Sequence, residues 1–220
     1  MNKILLALFF LAALPGLRAA APVDLGQGLV YLRIHSLDKD DAALTAALAQ
    51  DAALILDLRY PSRGLDTLAS FREALAHHPA NRPLFLLVSP GTPSDVVALL
   101  PTAPAGAVAL GATGTWLPPE HSVAVEQTAE ADRQAYDAAE AGQPLATLIS
   151  GKIDKERYDE AALMTDFRGG NADPQPPPAP DPTKPKAAPE APAPKPAPTD
   201  RVLQRAVHLH RALLALERHS

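Results

Sequence analysis

The chain has 220 residues, with 24 Pro, 12 Gly and no Cys; it is 47% hydrophobic but only 5% aromatic, and 20 Lys+Arg against 25 Asp+Glu give a formal net charge of −5. Without Cys there is no disulfide framework, thiolate zinc site, iron–sulfur cluster or cysteine nucleophile. A mildly acidic chain with no cluster of Lys and Arg has little to offer a phosphate backbone, so nucleic acid is not an expected partner.

Residues 1–20 read as a signal peptide. Lys3 supplies the positive charge, residues 4–15 form an apolar run, and Ala19, Ala20 and Ala21 offer small residues for a signal peptidase. The run is short for a membrane span. The exported chain is expected to begin near Ala20 to Pro22, in a periplasm or a secretory route, and export without Cys needs no oxidising chemistry.

An α/β domain is expected over residues 22–169. Residues 29–34 and 53–58 read as strands, the second a nearly continuous apolar run that suits a parallel strand buried on both faces. Between them a helix follows Asp38 as its cap, with Leu44, Ala47 and Leu48 on one face. Residues 65–77 are helical, 83–88 a third strand, 95–100 a short helix stopped by Pro101, and 107–110 a fourth strand. Residues 122–125 make a fifth. Strands alternating with helices imply parallel crossovers. The pattern then turns helical over 129–141, with Thr128 as cap, over 144–149 and over 154–164. Residues 170–199 are a Pro, Ala and Lys mixture expected to form a disordered, extended linker, since proline lacks the amide hydrogen. Residues 200–220 form an amphipathic helix with Asp200 at the cap position. Its apolar stripe of Val202, Ala206, Leu209, Leu213 and Leu216, widened by Leu203 and Leu214, is expected to dock on the protein's own core. Membrane contact through its arginines is the less favoured alternative.

Two stretches carry a resemblance. Residues 29–34, a helix, and the run Leu54-Ile55-Leu56-Asp57-Leu58-Arg59-Tyr60-Pro61-Ser62-Arg63-Gly64 resemble the core of the carboxyl-terminal processing (tail-specific) serine proteases, where a "gYIrI" strand leads to "lILDLRxNxGG". Downstream, residues 83–88 followed by Gly91-Thr92-Pro93-Ser94-Asp95 resemble that family's "PvvVLvn…tASASE", residues 107–111 its "ravviG" strand, and residues 200–206 its closing helix. The resemblance implies a crotonase-like core; no segment matches the PDZ domain such proteases usually carry. It also implies a Ser nucleophile, a Lys base and an oxyanion hole of backbone amides.

The chemistry departs from that pattern. Thr92 stands at the nucleophile position, and Leu117 falls where the lysine of a "GKG" segment belongs. Arg63 replaces the first glycine of the turn, where a residue with a Cβ disfavours close backbone approach. Ser94 is a candidate shifted nucleophile, but a hydroxyl needs a base and none follows at the right spacing. The expectation is therefore a pseudoenzyme that binds an extended peptide or an envelope protein in a groove at Arg63 and Gly64, without a cofactor. The alternative is an active or repurposed serine-type hydrolase of the same fold.

Other groups carry blander readings. Residues 54–59 followed by Pro61 also look like the start of a rhodanese-like domain, whose sulfur transfer needs an absent Cys. His208 and His210, two apart on a helix, do not converge on a metal. His77 and His78 suit a helix end. Asp57 and Arg59 are either a functional pair or a structural one at the end of a strand. Glu126, Glu130, Asp132, Asp137 and Glu140 read as a solvated helical face.

Overall fold

In a computed structural model, the described residues are 20–62, 68–150 and 198–218. The expected signal peptide, the groove residues Arg63 and Gly64, the helix at 154–164 and nearly all of the expected linker lie outside them. The fold is α/β. A two-residue strand β1 (Val23–Asp24) precedes β2 (Leu29–Arg33), helix α1 (Asp41–Leu48), β3 (Ala53–Asp57), α2 (Leu68–Ala76), β4 (Leu84–Val88), α3 (Ser94–Val97) and a 3-10 turn at Leu100–Thr102. Then come β5 (Ala107–Ala112), β6 (Ser122–Val125), α4 (Ala129–Glu140), α5 (Leu145–Ile149) and α6 (Arg201–Glu217). The six strands pair in chain order, β1 antiparallel to β2 and every later pair parallel.

That order has a consequence. A right-handed crossover between neighbouring parallel strands packs back on the sheet from one side, so strands advancing in a single direction send every crossover over the same face. Strand alternation fixes which side chains meet it. Leu32, Leu54, Leu56, Leu84, Leu86 and Ala109 point to the crossover face and pack with Leu44, Leu48, Phe71, Leu75, Val96 and Leu100 from α1, α2, α3 and the 3-10 turn. Leu29, Tyr31, Ile55, Phe85, Leu87 and Leu110 point the other way, to a face no crossover reaches. There α6 lies down. Its Val202, Leu203, Ala206 and Val207 are buried against those side chains. Burying a Val or Leu contributes about 1.5–3 kcal/mol, so this helix adds a layer of core.

The expected docking of the C-terminal helix is thus what the structure shows for its first half. Leu203 is buried as expected and Val207 and His210 join it, whereas Leu213 and Leu216 are 39% and 68% exposed where the helix runs past its contacts. His210 Nε2 meets the carbonyl of Gln27 at 3.0 Å, in the turn between β1 and β2. That turn passes through Gly26, Gln27 and Gly28, all with positive φ.

Two local expectations are corrected. The helix after β2 begins at Asp41, not directly after Asp38, whose carboxylate accepts the Ser36 hydroxyl instead. Asp40, at the cap position, does not cap. Its carboxylate turns back to the exit of β2 and accepts the amides of His35 and Ser36 at 2.7 and 2.9 Å. The single helix expected at 95–100 is the short α3 followed by the 3-10 turn, because Pro101 cannot donate to continue an α-helix. Thr128 caps α4 as expected, accepting the amide of Ala131 at 3.1 Å.

Replacing Leu203 by Ala should cost about 2–5 kcal/mol in urea unfolding, the usual range for a buried Leu. Hydrogen exchange should find the amides of Gln204 to His210 protected and those of the exposed final turns exchanging faster.

Candidate functional site

The carboxyl ends of β2 and β3 meet α4 and the start of α6 on the face opposite the crossovers, and most of the buried charges among the described residues gather there: Arg33, Asp57, Arg59, Asp132 and Asp200. Arg59 has no exposed surface. Its Nε and Nη2 donate to the two oxygens of Asp57 at 3.0 and 2.7 Å, Nη1 donates to Asp132 at 2.8 Å and Nη2 to Asp200 at 2.8 Å. Asp57 and Arg59 are two apart on an extended chain and so emerge on the same face. Asp132 comes from α4, and Asp200 is the cap of α6, giving its other oxygen to the amide of Leu203 at 2.9 Å. Tyr31 completes the carboxylate of Asp57, donating its hydroxyl at 2.6 Å.

A second guanidinium lies beside the first. Arg33 donates to Tyr31 Oη at 2.9 Å and to Glu140 at 2.7 Å, and its guanidinium carbon stands 4.4 Å from the centre of the Tyr136 ring. The π-face takes the place of an acceptor for the buried side of the cation. His35, 30% exposed, reaches the same Glu140 oxygen at 2.9 Å.

Electrostatics follow from this packing. Burial pushes the Asp57 carboxyl up, but Arg59, Arg33 and the hydrogen bonds prevail and hold it at about 2. Asp132 moves the other way: burial raises it, Arg59 opposes, and the nearby charges of Asp200 and Asp57 add to the rise. Burial opposes ionisation of Glu140 as well, yet Arg33 and His35 bring it below the usual carboxylate range. Fully enclosed charges that satisfy one another do not act on a substrate. Asp57 and Arg59 are a structural pair, widened to a four-residue knot.

The expected solvated acidic face is corrected at one residue. Asp132 is fully buried on Arg59, one turn from the inward Tyr136. Glu126 and Glu140 are exposed as expected, and Glu140 also holds Arg33. Glu130 and Asp137 do face solvent, Asp137 pairing with Arg133 at 2.9 Å.

Thr92, expected at the nucleophile position, is built into a turn. Thr92 is 7% exposed. Its hydroxyl donates to the carbonyl of Leu58 at 2.7 Å and accepts the amide of Ser89 at 2.9 Å. The Ser89 hydroxyl donates to the carbonyl of Arg59 and accepts the amide of Gly91 at 3.0 Å. Two hydroxyls thereby staple the loop after β4 onto the exit of β3. A Cβ on Gly91 would overlap the Tyr60 ring, so the close approach of this loop requires glycine. Ser94 opens α3, exposed, its hydroxyl without a hydrogen-bond partner among the described residues. Leu117 is half-buried and packs against the crossover-face core. The described residues contain one lysine, Lys39, exposed in the loop before α1. They contain no group of three or more metal-ligating side chains placed to hold an ion, and no helix long and apolar enough to cross a membrane.

An open site lies elsewhere, and the sequence reading missed it. The crossovers from β2 to β3, β3 to β4 and β4 to β5 carry helical segments; the one from β5 to β6 carries none. Beside it, over β5, is a cleft of about 400 Å³ with Leu86, Leu100 and Ala109 among its lining residues, Pro118 and Pro119 along one side, and Glu120 and His121. Glu120 is exposed and has no ion pair among the described residues. The Pro118-Pro119 pair, which cannot sit inside a helix, was the available signal. A second cleft of about 460 Å³ lies between α1 and α2, with Asp41, Glu73 and His77 among its lining.

No family model, no curated protein and no solved structure matches this chain.

The knot sets an acid limb. Asp57 is held near 2 in the folded chain, against about 3.9 when unfolded. A depressed carboxyl contributes stability that is complete above the unfolded value and is lost as pH falls through the folded one. Urea midpoints should drop from about pH 4 towards pH 2. In Asp57→Asn that limb should flatten, from a lower stability at neutral pH.

Proposed function

We propose that this chain is an exported, non-catalytic binding module on a crotonase-like core related to the tail-specific proteases, and that it takes an extended peptide of a partner protein. The observation that carries the loss of catalysis is the state of Thr92. Its hydroxyl donates to Leu58 and accepts from Ser89 inside a buried turn, and Leu117 offers an apolar contact where a base is needed. A hydroxyl whose proton is committed to a backbone carbonyl, with no base in reach, does not attack an acyl carbon. The order of the matching segments along β2, β3, β4 and β5 supports the kinship.

Binding is supported by the cleft of the helix-free crossover. Its volume falls in the range of ligand sites. Proline and alanine walls suit an aromatic or aliphatic side chain, and the carboxylate of Glu120, without an ion pair among the described residues, favours a neighbouring Lys or Arg on the same peptide. The partner segment that fits is thus extended, with an apolar anchor flanked by positive charge.

Two measurements test this reading. The purified protein should leave unfolded casein intact, and Thr92→Ala should alter stability by about 1–3 kcal/mol with no change in that null activity. Proteolysis abolished by Thr92→Ala or Ser94→Ala would refute the loss of catalysis. In NMR titrations the peptide Lys-Phe-Lys, blocked at both ends, should shift the amides of Ala107, Ala109 and His121, and Glu-Phe-Glu should not. Glu120→Lys should abolish the shifts; equal shifts from both peptides would defeat the charge argument.

A further inference from the structure

The corner where β2 leaves the sheet holds a carboxylate with an unusual set of partners. Asp40 is 4% exposed. One oxygen accepts the amides of His35 and Ser36 at 2.7 and 2.9 Å, and the other accepts the amide of Ala20 at 3.1 Å. No Lys or Arg pairs with it among the described residues. The nearest cationic candidate is the His35 ring, with Nδ1 3.9 Å away, and that ring is already engaged by Glu140 through Nε2. Buried carboxylates are ordinarily matched by a charge. Here three amide donors are present and the charge is missing.

Ala20 is the residue that stands where the charge belongs. It is 8% exposed and packs into the crossover-face core, while Ala21 and Pro22 just after it are exposed. In the uncut chain its nitrogen is a neutral peptide amide with one proton to give. As a chain terminus the same nitrogen is an ammonium with three protons and a unit charge, already within hydrogen-bond distance of Asp40.

The sequence offers three bonds to a signal peptidase. A cut after Ala21 has small residues at both recognised positions, Ala19 and Ala21, but places Pro22 first in the mature chain. A cut after Ala20 puts Arg18 at the outer recognised position. A cut after Ala19 has alanine next to the bond and apolar Leu17 further out. Only the last keeps Ala20 as a terminus.

We propose that the chain matures by hydrolysis of the Ala19–Ala20 bond and that the new α-ammonium of Ala20 pairs with the buried carboxylate of Asp40, fastening the exit of β2. Water is the co-reactant and a signal peptidase the catalyst. The hydroxyl of water goes to the Ala19 carbonyl, the C–N bond breaks with its electron pair remaining on nitrogen, and the Ala20 amine takes up protons to become the ammonium. Asp40 also holds the amides of His35 and Ser36, so the pairing steadies His35 and, through Glu140, the Arg33 side of the charged knot. The inference rests on the reading of the protein as exported.

Intact-mass analysis of the protein secreted from its full-length gene should give a chain starting at Ala20. A start at Ala21 or Pro22 overturns this inference and leaves export standing; recovery of the uncut chain alone overturns both. The pairing is read separately on the mature chain. Acetylating the α-amine selectively should lower the urea midpoint in the native protein and leave it unchanged in Asp40→Asn. An equal drop in both, or no drop in either, shows that the terminus does not pair with Asp40.

Discussion

A guanidinium with no exposed surface has to be neutralised where it stands, and Arg59 is that group in this protein. It lies at the exit of a central strand and draws a carboxylate from each of three places: Asp57 on its own strand, Asp132 on α4 and Asp200 at the cap of α6. Breaking such a set by removing one partner leaves an uncompensated buried charge, which typically costs 3–5 kcal/mol. An apolar substitute of similar shape would stabilise the fold as well, or better. What apolar contact would not supply is geometry. A planar fork with fixed donor directions accepts α4 and α6 in one orientation only. The knot therefore sets the register in which the last helix lies on the sheet.

That helix answers a need created by topology. Strands that advance in chain order leave one face without crossovers, and here that face carries Leu29, Ile55, Phe85, Leu87 and Leu110. Exposed together, these side chains would form an apolar patch across the sheet. The first half of α6 covers them, with Gln204 also donating to the carbonyl of Ile149 at 2.7 Å and Gln127 holding both Thr199 and the amide of Arg201. Docking is thus apolar along the helix and polar at its start, where the peptide groups of a helix N-terminus most need partners.

The same economy governs the loop after β4. Thr92 and Ser89 spend their hydroxyls on the backbone of Leu58 and Arg59. They hold the residues that carry the knot instead of facing a substrate. An open cleft lies at the crossover that has no helix, between Pro118 and β5.

Period and composition determined five of the six strands, that they run parallel, and the place of most described helices, because two-face burial writes itself as unbroken apolar runs such as residues 53–58 and 84–88. They also determined the cap roles of Thr128 and Asp200, which depend on residues three positions apart. They did not determine what Asp132, Glu140 or Asp40 do. A carboxylate on an amphipathic helix looks the same in sequence whether it meets water or a guanidinium 73 positions away. Nor did periodicity separate Leu203 and Val207 from Leu213 and Leu216. All four belong to the helix's apolar side, and only the extent of the surface beneath the helix decides which of them leave water. Burial of charge and the reach of a packed surface are properties of what lies opposite in space, and that was settled by the tertiary structure alone.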